Sequence, residues 1–182
     1  MSSVVVINGS PSDPSSTENL LAAVSVRLRE HGHTPVRIRL RDLPAEALVG
    51  ADARHPAVAA AIAEVLAADA LVVASPVYKA TYSGLLKIFV DLLPPDSLAG
   101  TPVLPFVTGG SVGHVLALDH GLKPLLAGLG ATTIARGRFV ESAHIGPAGV
   151  VGPAAVRVAA TVDDFALDLG LRARPGLTAA GV

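Results

Sequence analysis

Three short stretches carry the residue types that could do chemistry. Each follows an apolar run. The first is Asn8-Gly9-Ser10-Pro11-Ser12-Asp13-Pro14-Ser15-Ser16-Thr17. Its hydroxyls crowd around the start of a helical pattern. Free amides, hydroxyls and the positive end of a helix together suit a phosphate group. A hydrogen bond to such a charged group is worth about 1.5–3 kcal/mol. The stretch holds no Lys or Arg, so Ser10, Ser15, Ser16 and Thr17 would act as neutral donors. It is neither a P-loop nor a G-x-G-x-x-G turn. The bland alternative is a capped helix after a proline-rich turn.

The second stretch, Ser75-Pro76-Val77-Tyr78-Lys79-Ala80-Thr81-Tyr82-Ser83-Gly84, holds both tyrosines of the chain. Its backbone amides and the flat faces of Tyr78 and Tyr82, four residues apart, suit a planar ring. Lys79 adds a positive charge. Packing of the tyrosines at a subunit contact is the alternative. The third stretch, Thr108-Gly109-Gly110-Ser111, lets backbone approach a ligand because two glycines remove side-chain bulk. Residues 109–113 also match G-x-S-x-G, the nucleophile elbow of α/β-hydrolases. Glu141 and His144 even follow Ser111 in the hydrolase order. They lie too near each other in sequence to come from two separate strand-end loops, which counts against a triad.

These stretches need elements to position them. Val4–Ile7, Leu71–Ala74 and residues 102–108 are continuous apolar runs, as expected of strands covered on both faces. Residues 35–40 alternate Val36, Ile38 and Leu40 against Arg37, Arg39 and Arg41, which predicts a strand with one solvated face. A further strand is expected from Thr132–Ala135, reaching towards Val140. Helical patterns fill 17–30, 56–67, 82–93, 115–129 and 153–169, and 42–55 reads as loop. Strands alternating with helices predict an α/β fold, doubly wound, with five parallel strands and helices on both faces. Such sheets bind ligands at the carboxyl ends of their strands. We expect one domain over 1–171 and a flexible tail over 172–182.

Composition narrows the function. The 182 residues are 51% hydrophobic and 16% charged, which argues against disorder. A net charge of −1 gives no electrostatic case for nucleic acid or an anionic membrane. The absence of cysteine excludes disulfides, thiolate catalysis and thiolate metal sites. The six histidines show no metal-ligand spacing. No signal or spanning segment is evident, so a cytoplasmic protein is expected.

Read together, GSPSDPSSTENLL (9–21), ASPVYKATYSGLLKIFVDLLP (74–94) and LAGTPVLPFVTGGSVGHVLALDHGLKPLLAGLGA (98–131) resemble the NADPH-dependent FMN reductases. The similarity is to the branch that supplies reduced flavin to sulfonate monooxygenases, and it covers most of 3–145. It implies a flavodoxin-like fold. It implies FMN phosphate near Ser10, Ser15, Ser16 and Thr17, and a flavin edge against the backbone of Pro76, Val77, Tyr78 and Lys79. Thr108, Gly109, Gly110 and Ser111 would close the other side. It also implies a homodimer or homotetramer and a flavin-dependent monooxygenase as partner. Members commonly carry arginine where this chain has Ser12, and often near Ser16. In well-known members a tyrosine at the position of His120 forms a π-bulge at the tetramer interface.

Hydride transfer from NADPH, or from NADH, to FMN is done by the cofactors themselves. No side chain is then needed as acid, base or nucleophile, and His120 is given no such role. The alternatives are a reductase that retains FMN and reduces quinones or azo dyes, and, remotely, a flavodoxin-like electron carrier. A carrier is usually acidic, which this chain is not.

Overall fold

The computed structural model describes residues 1–172. The segment expected to be a tail lies, apart from Arg172, outside the described residues. Five parallel strands form the sheet: β1 (Ser3–Asn8), β2 (Thr34–Arg39), β3 (Ala70–Pro76), β4 (Val103–Gly109) and β5 (Arg138–Glu141). Their order is β2-β1-β3-β4-β5, the flavodoxin-like arrangement. The helices are α1 (Ser16–Glu30), α2 (Ala45–Val49), α3 (Pro56–Ala67), α4 (Gly84–Val90), α5 (Lys123–Gly128) and α6 (Gly152–Arg172). The short α2 falls in the segment expected to be loop. A small antiparallel hairpin, β6 (Ile145–Gly146) with β7 (Gly149–Val150), precedes α6.

The central strands β1, β3 and β4 bury both faces, their side chains alternating between two cores. Val5, Ile7, Leu71, Val73 and Val107 pack with Val58, Leu86, Phe89, Leu122 and Leu126 on one side. Val4, Val6, Val72, Leu104 and Phe106 pack with Leu20, Leu21, Val24, Val162 and Phe165 on the other. Helices α1 and α6 lie together on that second side. Arg27 forks onto Asp163 there, with Nε to Oδ1 at 2.6 Å and Nη2 to Oδ2 at 2.8 Å. His31 Nε2 adds a contact of 2.7 Å to the same carboxylate.

Two elements depart from expectation. Residues 132–135 do not begin a continuous strand; β5 starts only at Arg138. The cause is Pro105 in the middle of β4. Val103 bonds Thr133 and Ala135 (2.9 and 2.8 Å), but Pro105 has no N–H to continue the ladder. Pairing resumes one residue out of step. Val103 faces Ile134, an offset of 134 − 103 = 31, whereas Phe106 faces Arg138, an offset of 138 − 106 = 32. The extra residue is a bulge, and it is accommodated at Gly137, whose φ is +66°.

The helix expected over 115–129 is also interrupted. Leu118–Leu122 forms a turn of π-helix, and Lys123 N–H reaches back to the Leu118 carbonyl. Pro124 accounts for it. In a regular α-helix Pro124 would have to bond the His120 carbonyl, and its ring would clash there; a widened turn avoids both. His120 is exposed in this turn.

Two outcomes follow for stability. A Cβ at residue 137 would come within 2.3 Å of the Pro105 carbonyl oxygen, in a backbone conformation that disfavours side chains. Gly137→Ala is expected to cost at least about 3 kcal/mol, read by thermal denaturation as a Tm fall of roughly 6–12 °C. Hydrogen bonding from Arg27, with a smaller share from His31, holds the Asp163 carboxyl down at about 2. A depressed folded-state value stabilises above the ordinary carboxylate value of ~3.9 and is lost as pH falls through the folded value. Asp163→Asn should therefore lower Tm by up to about 4 °C near neutrality, with the gap closing between about pH 4 and pH 2.

Candidate functional site

The three loops meet because β1, β3 and β4 are neighbours and end at one edge. Asn8 pairs beside Ala74, and Pro76 beside Thr108. β1 lies between β2 and β3, so the chain leaves on opposite sides of the sheet here, and a crevice opens. A cavity of about 240 Å³ sits at this switch point. It is lined by Ser10, Ser15, Ser16, Thr17, Pro76, Val77, Tyr78, Thr108, Gly109 and Gly110, joined by Ser12, Pro14 and Ser142. Lys79 and Ser111 do not line it. Lys79 stands exposed at the tip of the second loop, and Ser111 caps the following turn, its Oγ accepting from Gly113 N–H at 3.3 Å.

The first loop is held by its own hydroxyls and amides. Asn8 Oδ1 accepts from Ser10 N–H (2.9 Å), and Ser10 Oγ accepts from Ser12 N–H (3.2 Å). Asn8 Nδ2 donates to Glu18 at 2.6 Å. Ser15 caps α1 by accepting from Glu18 N–H (3.2 Å). That leaves the early amides of α1 directed at the cavity end, with the favourable end of the helix dipole. Thr17 Oγ1 lies 2.7 Å from Thr108 Oγ1, both buried, so the floor joins the first and third loops.

The second loop is anchored from below and strained at its tip. Ser83 Oγ donates to the Gly9 carbonyl at 2.5 Å and accepts from Leu86 N–H at 3.1 Å, capping α4. Gly9 permits this approach: a Cβ there would stand 3.0 Å from Leu86 Cβ. Val77 N–H donates to the Thr108 carbonyl (2.7 Å). Tyr78 and Thr81 then exchange backbone bonds across a two-residue turn. Its central residues, Lys79 and Ala80, have φ of +49° and +67°. Such a turn favours Asn-Gly, so Lys79-Ala80 holds strain on the order of 1–3 kcal/mol per residue. Tyr78 OH meets Ser12 Oγ at 3.2 Å, linking the first and second loops over the cavity rim. Gly121 of the π turn presses on the same hairpin; a Cβ there would lie 2.8 Å from Thr81 Oγ1.

The hydrolase motif does not form an elbow. Ser111 has φ −152° and ψ 143°, plain extended backbone, not the strained turn that lifts a nucleophile. Sequence reasoning missed Ser142 as a lining residue. The signal was present, since it follows the last residue of β5 and strand ends were already suspect. It also read Arg37, Arg39 and Arg41 as a solvated edge. They do lie at that edge, exposed or half-buried, and they also meet carboxylates: Arg37 pairs with Glu18 of α1, and Arg41 Nη1 stands 3.2 Å from Asp13 of the first loop. Among the described residues no group of three His, Cys, Asp or Glu could hold a metal ion, and no helix is long and apolar enough to cross a membrane.

Comparison with known proteins is consistent across methods. A family model described as NADPH-dependent FMN reductase matches residues 2–144. An FMN reductase (NADPH) of Pseudomonas putida is 39% identical over 178 residues, covering 94% of this chain and 90% of that protein. The NADH-dependent FMN reductase SfnE of Pseudomonas putida is 39% identical over 145 residues, 78% of each chain. Among solved structures, the apo form of an NADH:FMN oxidoreductase (EMOB) superposes with a TM-score of 0.89. It has 36% identity and covers 96% of this chain and 92% of the other.

The buried Thr17–Thr108 pair yields a direct test. Thr17→Val strands the Thr108 hydroxyl and should cost about 1–3 kcal/mol, a Tm fall of roughly 2–12 °C. Replacing both threonines by valine should recover much of that loss, because neither hydroxyl is then left unpaired.

Proposed function

The chain belongs to the NADPH-dependent FMN reductase family, and on that premise we propose that it hands reduced FMN to a flavin-dependent monooxygenase of the sulfonate-using type. Its chemistry is that of an oxidoreductase passing hydride from NAD(P)H to FMN. The observation that carries the further reading is the cavity at the switch point. It is walled by hydroxyls, glycines and backbone, and no lysine or arginine lines it. The resemblance of the loops to the sulfonate branch supports the choice of partner. The lack of a lining cation supports a flavin that comes and goes.

The residues fit the group. Ser10, Ser15, Ser16 and Thr17 would hold the phosphate with neutral donors at the start of α1. Pro76, Val77 and Tyr78 would border the ring, with Lys79 at the outer rim. Thr108, Gly109, Gly110 and Ser111 would close the opposite side. A cavity of about 240 Å³ is smaller than the ~300–1,000 Å³ usual for small-molecule sites, so it suits the phosphate end of the flavin. FMN supplies the hydride-accepting chemistry when bound. The chain's part is to orient it by backbone and hydroxyls, to exclude water along the Tyr78–Ser12 rim, and to leave one face open to a nicotinamide.

We read residues 1–171 as the working unit. Val112, Val115, Leu116 and Tyr78 expose apolar surface around the third and second loops. A homodimer or homotetramer covering that surface is part of this proposal, and sizing by light scattering tests it.

The decisive measurement is NADPH oxidation by purified protein with FMN titrated from none to excess. Oxidation should be negligible without FMN and should saturate as it is added. A yellow protein whose rate ignores added FMN would overturn the transfer reading and turn attention to quinone or dye acceptors.

A further inference from the structure

We propose that Asp13 sets how tightly the first loop holds a phosphate, by neutralising Arg39 and Arg41. The inference rests on the reading of the cavity as the FMN site and adds a residue outside its lining. The loop brings no cation of its own to the cavity. Arg39 and Arg41 bring theirs from the edge of the sheet, at the end of β2 and in the turn after it. Asp13, between the lining residues Ser12 and Pro14, meets both. Arg41 Nη1 lies 3.2 Å and Arg39 Nη2 3.7 Å from its Oδ2.

The surrounding charges cancel. Arg37, Arg39 and Arg41 face Asp13, Glu18 and Asp42, three against three. Glu18 hydrogen-bonds Arg37 and Asn8 and stands 4.0 Å from Arg39 Nε, and Asp42 lies 3.4 Å from the same nitrogen. Asp13 is the carboxylate carried by the loop itself, and its side chain is 65% exposed. Arg39 Nε and Arg41 Nη1 are shut off from solvent yet make no hydrogen bond. The hold of Asp13 on the pair is therefore Coulombic, without the aligned forks that make an arginine–carboxylate pair stiff. A phosphate entering the loop meets near-zero net charge. Removing the Asp13 charge would leave one positive charge beside the loop, in partly exposed surroundings. For a group carrying about −1.5 to −2, that corresponds to about three- to tenfold in affinity at low salt, and less at high salt.

The test is titration of FMN and of riboflavin, followed by quenching of flavin fluorescence, at low and high salt. Riboflavin lacks only the phosphate and reports the ring and ribityl contacts without it. Asp13→Asn should tighten FMN about three- to tenfold at low salt and leave riboflavin unmoved. Arg41→Gln should weaken FMN, and the double variant should return towards the wild-type value. Weaker FMN binding by Asp13→Asn would make the aspartate a mere pin for the loop and overturn the proposal. Equal shifts for FMN and riboflavin would overturn it too. Failure of the wild-type protein to bind either flavin would instead overturn the site reading beneath it.

Discussion

Pairing of β1 with β3 is the constraint from which this end of the molecule follows. β1 lies between β2 and β3, so the strand that ends in the serine-rich loop runs directly beside the strand that ends in the tyrosine loop. Parallel strands end at the same edge, so both loops are delivered to one place. β4 then brings the glycines alongside. What remains is to hold three loops without regular structure, and buried hydroxyls do it. Ser83 grips the Gly9 carbonyl, and Thr17 meets Thr108. Each bond is short and inside, where an unpaired partner is costly.

Part of the backbone strain lies at the same end of the molecule. Lys79 and Ala80 sit in a left-handed turn that glycine or asparagine would occupy more easily. The π turn at Leu118–Leu122 leans on this hairpin through Gly121. Pro124 and Pro105 each remove one backbone donor. One widens a helix, and the other puts a bulge into the sheet edge.

Charge is arranged with similar economy. The cavity wall is neutral, and the nearest arginine row is met by carboxylates. A family that handles a phosphorylated cofactor can place its positive charge in the loop or behind it. In this chain the cavity lining carries none, and Arg39 and Arg41 pair with Asp13 of the first loop.

Much of this was legible locally. β-Branched runs name the strands, hydroxyls before apolar periodicity name the capped helices, and strand ends name the loops; Ser10, Thr17 and Gly109, picked out that way, line the cavity. Such signals depend on neighbours within a few residues. What tertiary structure decided depends on partners far away in the chain. The late start of β5 follows from Pro105, some thirty residues earlier, lacking one amide. The pairing of Arg39 and Arg41 follows from a carboxylate on another loop, which alternation along a strand does not show. Ser142 joins the cavity only because β5 lies beside β4. Local pattern sets which elements form; the register between them sets which side chains meet.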